Sequence, residues 1–280
     1  MVPTRIRSII VRDSVTLLDD QATGAVVVSG SHGGIVAAQF AAAAGVDGVL
    51  FNDAGVGKER AGIAGLQFVE QYGIAAAAVD HRSARIGDGE DCRTCGVISF
   101  ANRWALEAGV QIGSTAAQAA DLMALWRNGP SKNKARPPSP AERPPSVLQD
   151  KWPFVLAVDS VSQVNWTMAG SLILGGSHGG IVNGRAIKAP VRAAFFNDAG
   201  GGKDGAGVSR LPALDVCGIP AATVSAMSAR IGDGRDTYAN GTISHANASA
   251  RALGLHPNQS AVDAVSMIRD AVPPEQAPQA

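Results

Sequence analysis

Residues 25–36 read Ala-Val-Val-Val-Ser-Gly-Ser-His-Gly-Gly-Ile-Val, and residues 171–182 read Ser-Leu-Ile-Leu-Gly-Gly-Ser-His-Gly-Gly-Ile-Val. Each opens with a short apolar run that has no polar interruption, the pattern of a strand buried on both faces. Each continues into Gly-Ser-His-Gly-Gly, a loop with little side-chain bulk. In the first stretch the Ala-rich segment Ile35 to Ala44 follows and reads as a helix. A buried strand, a glycine-rich turn and a helix make up half of a βαβ unit, which points to an α/β fold.

Working outward, the two stretches are the centre of an internal repeat with a period of about 145 residues. Asp13-Ser14-Val15 returns as Asp159-Ser160-Val161, and Phe51-Asn52-Asp53-Ala54-Gly55 returns as Phe196-Asn197-Asp198-Ala199-Gly200. Gly57-Lys58 is matched by Gly202-Lys203, and Ser83-Ala84-Arg85-Ile86-Gly87-Asp88-Gly89 by Ser228-Ala229-Arg230-Ile231-Gly232-Asp233-Gly234. Ile98-Ser99 with Asn102 matches Ile243-Ser244 with Asn247. The same blocks in the same order predict a tandem duplication of a βαβαβα-type unit.

In the first copy the pattern predicts strands at 25–29, 46–51 and 73–79, with a further strand around 9–16. Helices are predicted at 35–44, 61–72, 97–108 and 116–127. Mostly parallel sheets with helices on both faces follow, arranged as two lobes or as one sheet about a pseudo-two-fold axis. Residues 1–128 are read as the first repeat and 154–272 as the second. Between them 129–153 carries seven prolines and reads as an exposed linker, while 273–280 reads as a disordered tail.

Composition narrows the function classes. Lys plus Arg and Asp plus Glu are both 24, so there is no basic excess of the kind a nucleic-acid or anionic-membrane partner would draw. No apolar run approaches a membrane span, and charges at Arg5, Arg7, Arg12 and Asp13 interrupt any leader, so a cytoplasmic location is expected. Cys92 and Cys95 form a lone C-x-x-C whose counterparts are Thr237 and Asn240, and it reads as a reduced pair.

The repeated polar blocks all follow predicted strands, at the carboxyl edge where α/β sheets bind ligands. Gly33 and Gly179 let the backbone approach a ligand, and the N–H groups beyond Ser31-His32 and Ser177-His178 suit an anion or a developing oxyanion. Arg85 and Arg230 match the geometry of a planar anion, with Asp88 and Asp233 to orient them. Asn52, Asn197, Ser83 and Ser228 complete the expected substrate-binding set. Asp53 and Asp198 could act as acid or base, or cap the next turn. Asp80-His81-Arg82 becomes Ser225-Ala226-Met227 in the second copy, which sets these three outside the repeated chemistry.

Gly175-Gly176-Ser177-His178-Gly179 fits G-x-S-x-G and resembles the nucleophile elbow of serine α/β-hydrolases over about six residues. The resemblance implies Ser177 as nucleophile, with Asp233 and either His245 or His256 as triad partners. Phe100 and Gln111 stand at the matching positions of the first copy, so the same triad cannot be built there. Lys58 and Lys203 offer another activation: a lysine desolvated in a cleft can serve as base to Ser31 or Ser177. As an alternative it is a plain cation gripping substrate.

No G-x-G-x-x-G follows a strand and no metal-ligand spacing such as H-x-x-x-H occurs, so neither a nucleotide cofactor nor a metal is expected. The expected function is hydrolysis of an amide or ester-like bond in a small polar or anionic metabolite, cyclic compounds included. Ser31, Ser177, Lys58, Lys203, Asp53 and Asp198 would carry the chemistry. A lyase or isomerase with an Asp proton shuttle and a non-catalytic anion binder are the alternatives. One composite site and two equivalent sites remain equally open, and a homo-oligomer is compatible with either.

Overall fold

The period-two alternation of Val26, Val27, Val28 decides how the first sheet is covered. Val27 packs with Val49, Phe51, Ala76 and Ala78 on one face, while Val26 and Val28 pack with Leu50, Ala75, Ala77 and Val79 on the other. Both faces are apolar, so both must be covered by helices. The computed structural model describes residues 6–127, 137, 139–140 and 144–271. The chain divides into two compact units. Unit 1 is Met1–Val56 and Arg60–Ala141 with Gly202–Asp204; unit 2 is Gly57–Glu59, Glu142–Gly201 and Gly205–Ala280.

Unit 1 holds a five-stranded sheet in the order β1 (Ile9–Arg12), β2 (Val26–His32), β3 (Gly48–Asn52), β4 (Ala75–Val79) and β5 (Ile98–Ala101). The first four are parallel and β5 runs antiparallel to β4. Helices α1 (Ile35–Ala44) and α2 (Ala64–Glu70) cover the Val27 face through Ala38, Ala41, Leu66 and Val69. The Val26 face is covered by α3 (Gly89–Cys95), α4 (Arg103–Glu107) and α5 (Ala116–Leu125). Helix α1 stops where Gly45 turns left-handed at φ 73°, a conformation glycine adopts without penalty.

Unit 2 holds a six-stranded sheet. Strands β7 (Val155–Val158), β8 (Leu172–His178), β9 (Ala193–Asn197) and β10 (Ala221–Val224) are parallel. β6 (Ser146–Gln149) runs antiparallel on β7, and β11 (Ile243–Ala246) antiparallel on β10. Helices α6 (Arg210–Val216), α7 (Gly234–Asn240), α8 (Ala248–Ala252) and α9 (Ala261–Asp270) lie alongside. Both sheets are therefore mixed and mostly parallel, an α/β fold. Among the described residues no helix is long and apolar enough to cross a membrane.

Three expectations need correction. The helix expected over 97–108 is a strand, β5, followed by the short α4. Ile98 and Phe100 pair with β4, and helix starts only where the Asn102 side chain accepts from Ala105 N. The stretch 129–153, expected to lack packed elements, contributes β6 once its proline run ends at Pro145. The rest of that stretch lies largely outside the described residues, as does 273–280. Finally, helix α1 has no counterpart in 181–192. Asn183 and Gly184 turn left-handed at φ 50° and 67°, which closes a bridge between Val182 and Arg185, and Pro190 follows.

Buried Arg210 fills the space left by that missing helix. Its guanidinium donates to Gly180 O at 2.5 Å and to Ala186 O, and lies 5.1 Å from the centre of the Phe196 ring. Burial lowers its pKa to about 10. Unit 1 has Gly65 at this place, where a Cβ would sit 2.6 Å from Ala38 Cβ in α1. An arginine and a packed helix are thus alternative ways to cover the same strand end.

Asn102 shows how the polar repeat serves the fold. Its Oδ1 accepts from Ala76 N and Ala105 N, and its Nδ2 donates to Leu66 O and Ile74 O, all between 2.9 and 3.1 Å. One buried amide thus ties β4, α2 and α4 together. Asn102→Ala strands four buried backbone groups and should lower unfolding free energy by about 3 kcal/mol in urea titration. A loss below about 0.5 kcal/mol would mean that water replaces the amide at no cost.

Candidate active site

Most of the repeated polar residues turn out to satisfy the backbone of the loops they sit in, as buried loops require. Ser31 Oγ accepts from Val15 N at 3.1 Å and donates to Ser14 Oγ at 3.4 Å; Ser177 Oγ accepts from Val161 N at 2.8 Å. Neither a histidine nor a lysine is among their hydrogen-bond partners. His32 Nδ1 accepts from Gly34 N at 3.0 Å and His178 Nδ1 from Gly180 N at 3.1 Å. Asn52 bridges Ala54 N and Ala84 O, and Asn197 bridges Ala199 N and Ala229 O. Ser83 links Asp80 O to Val97 N, as Ser228 links Ser225 O to Thr242 N. Gly33 and Gly179 are sites of close approach: a Cβ would meet Gly62 O at 2.8 Å and Gly207 O at 2.6 Å.

The charged candidates are held in ion pairs around two carboxylates absent from the expected set. In unit 1, Lys203 Nζ donates to both oxygens of Asp91 at 2.8 and 3.1 Å. Arg85 reaches the same carboxylate at 2.8 Å and pairs with Asp204 at 3.0 Å and Asp88 at 3.4 Å. In unit 2, Lys58 Nζ donates to both oxygens of Asp236 at 3.1 Å, and Arg230 pairs with Asp233 at 2.9 Å and Glu59 at 3.1 Å. Asp88 and Asp233 also cap α3 and α7.

Burial pushes the Asp91 carboxyl up, but the bonds from Lys203 and Arg85 outweigh it, so its pKa is lowered. The same bond to Asp91 raises the Lys203 pKa, opposite to the shift a lysine base needs. Asp91 and Asp236 were legible as a spacing, since each follows its helix-capping Asp by three residues.

Between β3 and Lys58 the chain makes a left-handed turn, with φ of 51°, 70°, 63° and 68° at Ala54, Gly55, Val56 and Gly57. Ala199 to Gly202 repeat it at 51°, 71°, 75° and 70°. The Asp before each turn holds it: Asp53 Oδ1 accepts from Gly55 N at 3.0 Å, and Asp198 Oδ1 from Gly200 N at 2.9 Å.

Here the two units diverge. Asp53 Oδ1 also accepts from His81 N at 3.0 Å and faces His81 Nδ1 at 2.9 Å, while Oδ2 accepts from Ser99 Oγ at 2.8 Å. Gly55 N, His81 N and Ser99 Oγ all donate to this carboxylate, and a hydrogen on Nδ1 would make the imidazole its fourth donor and leave Nε2 as the ring acceptor. Asp53 is buried and His81 is partly exposed. In unit 2 the place of His81 is taken by Ala226, whose N donates to Asp198 Oδ1 at 2.9 Å, and Ser244 bonds Thr223 instead. The structure thus brings Asp53 together with His81 and Ser99, and leaves Ser31, Lys58 and Arg85 in other networks. His81 is not repeated, so recurrence does not mark it; its place directly behind a buried strand is the signal in the sequence.

Ligand atoms of Asp53, Asp80 and His81 lie within 4.8 Å of one another, the spacing of a divalent-ion site. The Arg82 guanidinium, 2.7 Å from Asp80 Oδ2, places a fixed positive charge beside that position. The Cys92 thiol is pushed up to about 12 by burial, which makes it inert as a nucleophile. Comparison of the chain with protein-family models, with characterised proteins and with solved structures gives no match.

His32 yields a prediction about pH. Burial lowers its pKa from 6.5 to about 4. The folded-state value lies below the unfolded one, so the unfolded chain binds the extra proton across this window. Stability is therefore full above pH 6.5 and falls, by on the order of 3 kcal/mol, as pH drops to about 4. Urea unfolding between these pH values should show that slope, and His32→Gln should flatten it. Equal slopes in both proteins would show that another group is responsible.

Proposed function

We propose that the chain is a small-molecule hydrolase whose acid–base group is His81, oriented by Asp53. The observation that carries this reading is the 2.9 Å contact from His81 Nδ1 to Asp53 Oδ1, with Oδ2 of the same carboxylate held by Ser99. A carboxylate on Nδ1 fixes the ring and favours the imidazolium that forms when Nε2 takes a proton. In this reading Nε2 removes a proton from water as it attacks an amide or ester-like carbonyl, then returns it to the leaving group. Ser31 and Ser177 each hold their own loop rather than attack. The substrate is a small polar or anionic molecule, cyclic amides included.

The repeat supports a history as well. We take the two units to descend from a tandem duplication, in which Ala226 marks the copy without a base and unit 1 carries the working site. Direct proton shuttling by Asp53, as a lyase or isomerase would need, is disfavoured because both of its oxygens are engaged.

A panel of small esters, linear amides and cyclic amides incubated in ¹⁸O-water tests the reaction class, since hydrolysis places the label in the product. Against an active substrate His81→Gln should lose at least about a hundredfold in kcat, and Asp53→Asn a comparable factor. Thermal melts should stay cooperative in both variants. His81→Gln retaining activity within about twofold would remove His81 from the chemistry. A ligand that stabilises the protein yet is never turned over would leave only an anion-binding role.

A further inference from the structure

Between β4 and α3 two guanidiniums are bound by carboxylates: Arg82 by Asp80, and Arg85 by Asp88, Asp91 and Asp204. Arg60 is different. Among the described residues its side chain has one partner, the Phe100 ring, whose centre lies 5.3 Å from the guanidinium carbon. Phe100 rests on the apolar cluster beneath α1 and α2, so the ring is a fixed platform. Its neighbour on β5, Ser99, donates to Asp53, and Asp53 holds His81. Two consecutive residues of one strand thus carry the acid–base pair and an uncompensated cation.

Backbone conformation gives a second, independent observation. Arg60 stands at φ 59°, a left-handed conformation that costs any residue with a Cβ. Gly205, the corresponding residue of the second repeat, has φ 67° and no such cost. A glycine would therefore fit position 60 better, and among the described residues no ion pair compensates the exposed arginine there. The differences also occur together. Where the first repeat has Arg60, His81 and Phe100, the second has Gly205, Ala226 and His245.

We propose that Arg60, seated on Phe100, anchors a carboxylate of the substrate that His81 acts on; this rests on the hydrolase reading above. A guanidinium stacked on an aromatic ring keeps its fork free for a planar oxyanion and matches a carboxylate in bidentate fashion. A single carboxylate is favoured over a phosphate because the other cations near this edge, Arg82, Arg85 and Lys203, are already paired. A phosphate carries close to two charges and would draw on more than one cation.

The test is an NMR titration of ¹⁵N-histidine-labelled protein with sodium acetate and, separately, with inorganic phosphate. Acetate should shift the His81 ring signals saturably. Arg60→Gln should weaken that response by about tenfold or more. Arg60→Gly should weaken it equally while raising the melting temperature, because the left-handed backbone is relieved. Unmoved His81 signals, an unchanged response in Arg60→Gln, or phosphate binding more tightly than acetate would each overturn the proposal. A low-field Nδ1 proton in the ligand-free protein reports the bond to Asp53 separately. Its absence, with acetate binding still dependent on Arg60, would sink the acid–base reading and leave the anchor standing.

Discussion

The carboxylate of Asp53 is the interaction on which the site depends. β3 ends at Asn52, and the next residue must hold together a left-handed turn, the chain leaving β4 and the edge strand β5. It does so with two oxygens: Gly55 N, His81 N and His81 Nδ1 converge on Oδ1, and Ser99 Oγ on Oδ2. Its own N–H donates to Val79 O. A neutral side chain of the same shape could accept only part of this set, and each donor left over would be buried without a partner. Asp198 does the same structural work with Gly200 N and Ala226 N. The charge is there to hold the loops, and in unit 1 the same charge is available to orient an imidazole.

That economy explains what the sequence discloses and what it hides. Strands such as β2 and β3 are legible because the runs Ala25–Val28 and Val49–Phe51 are buried on both faces and no polar residue interrupts them. The α/β class follows from their spacing. Unit 2 has no helix over 181–192, where Asn183 and Gly184 turn left-handed and Arg210 donates to Gly180 O. Strand β5 hides because its four residues are too short a run for periodicity to tell strand from helix, and only pairing with β4 separates the two.

The site is harder to read for a related reason. Residues present in both repeats are those both units need, and what both units need is satisfied backbone. Ser31, Asn52, Ser83 and Asp88 recur because loops packed against one another require those acceptors and donors at those places. Repetition therefore marks scaffold at least as strongly as chemistry. His81 and Arg60, which distinguish one copy from the other, are invisible to an argument from recurrence. They emerge only when the partners of Asp53 and Phe100 are traced.

Strain points the same way. The turn of the first repeat places Ala54, Val56, Glu59 and Arg60 at positive φ, whereas the second has glycine in place of Val56 and Arg60. At about 1–2 kcal/mol for each residue with a Cβ, the first turn is the more strained by roughly 2–4 kcal/mol. Val56 packs against the apolar cluster of α1 and α2, and burial of that size offsets its share at about 25 cal/mol per Å². Glu59 is repaid in part by its pair with Arg230, as Asp204 is by Arg85. Among the described residues exposed Arg60 has only its contact with Phe100, and an exposed cation–π contact contributes about 0.5–1 kcal/mol. Strained backbone of this kind clusters at functional sites. In this chain the ring under the guanidinium is Phe100, the β5 neighbour of Ser99, which donates to Asp53.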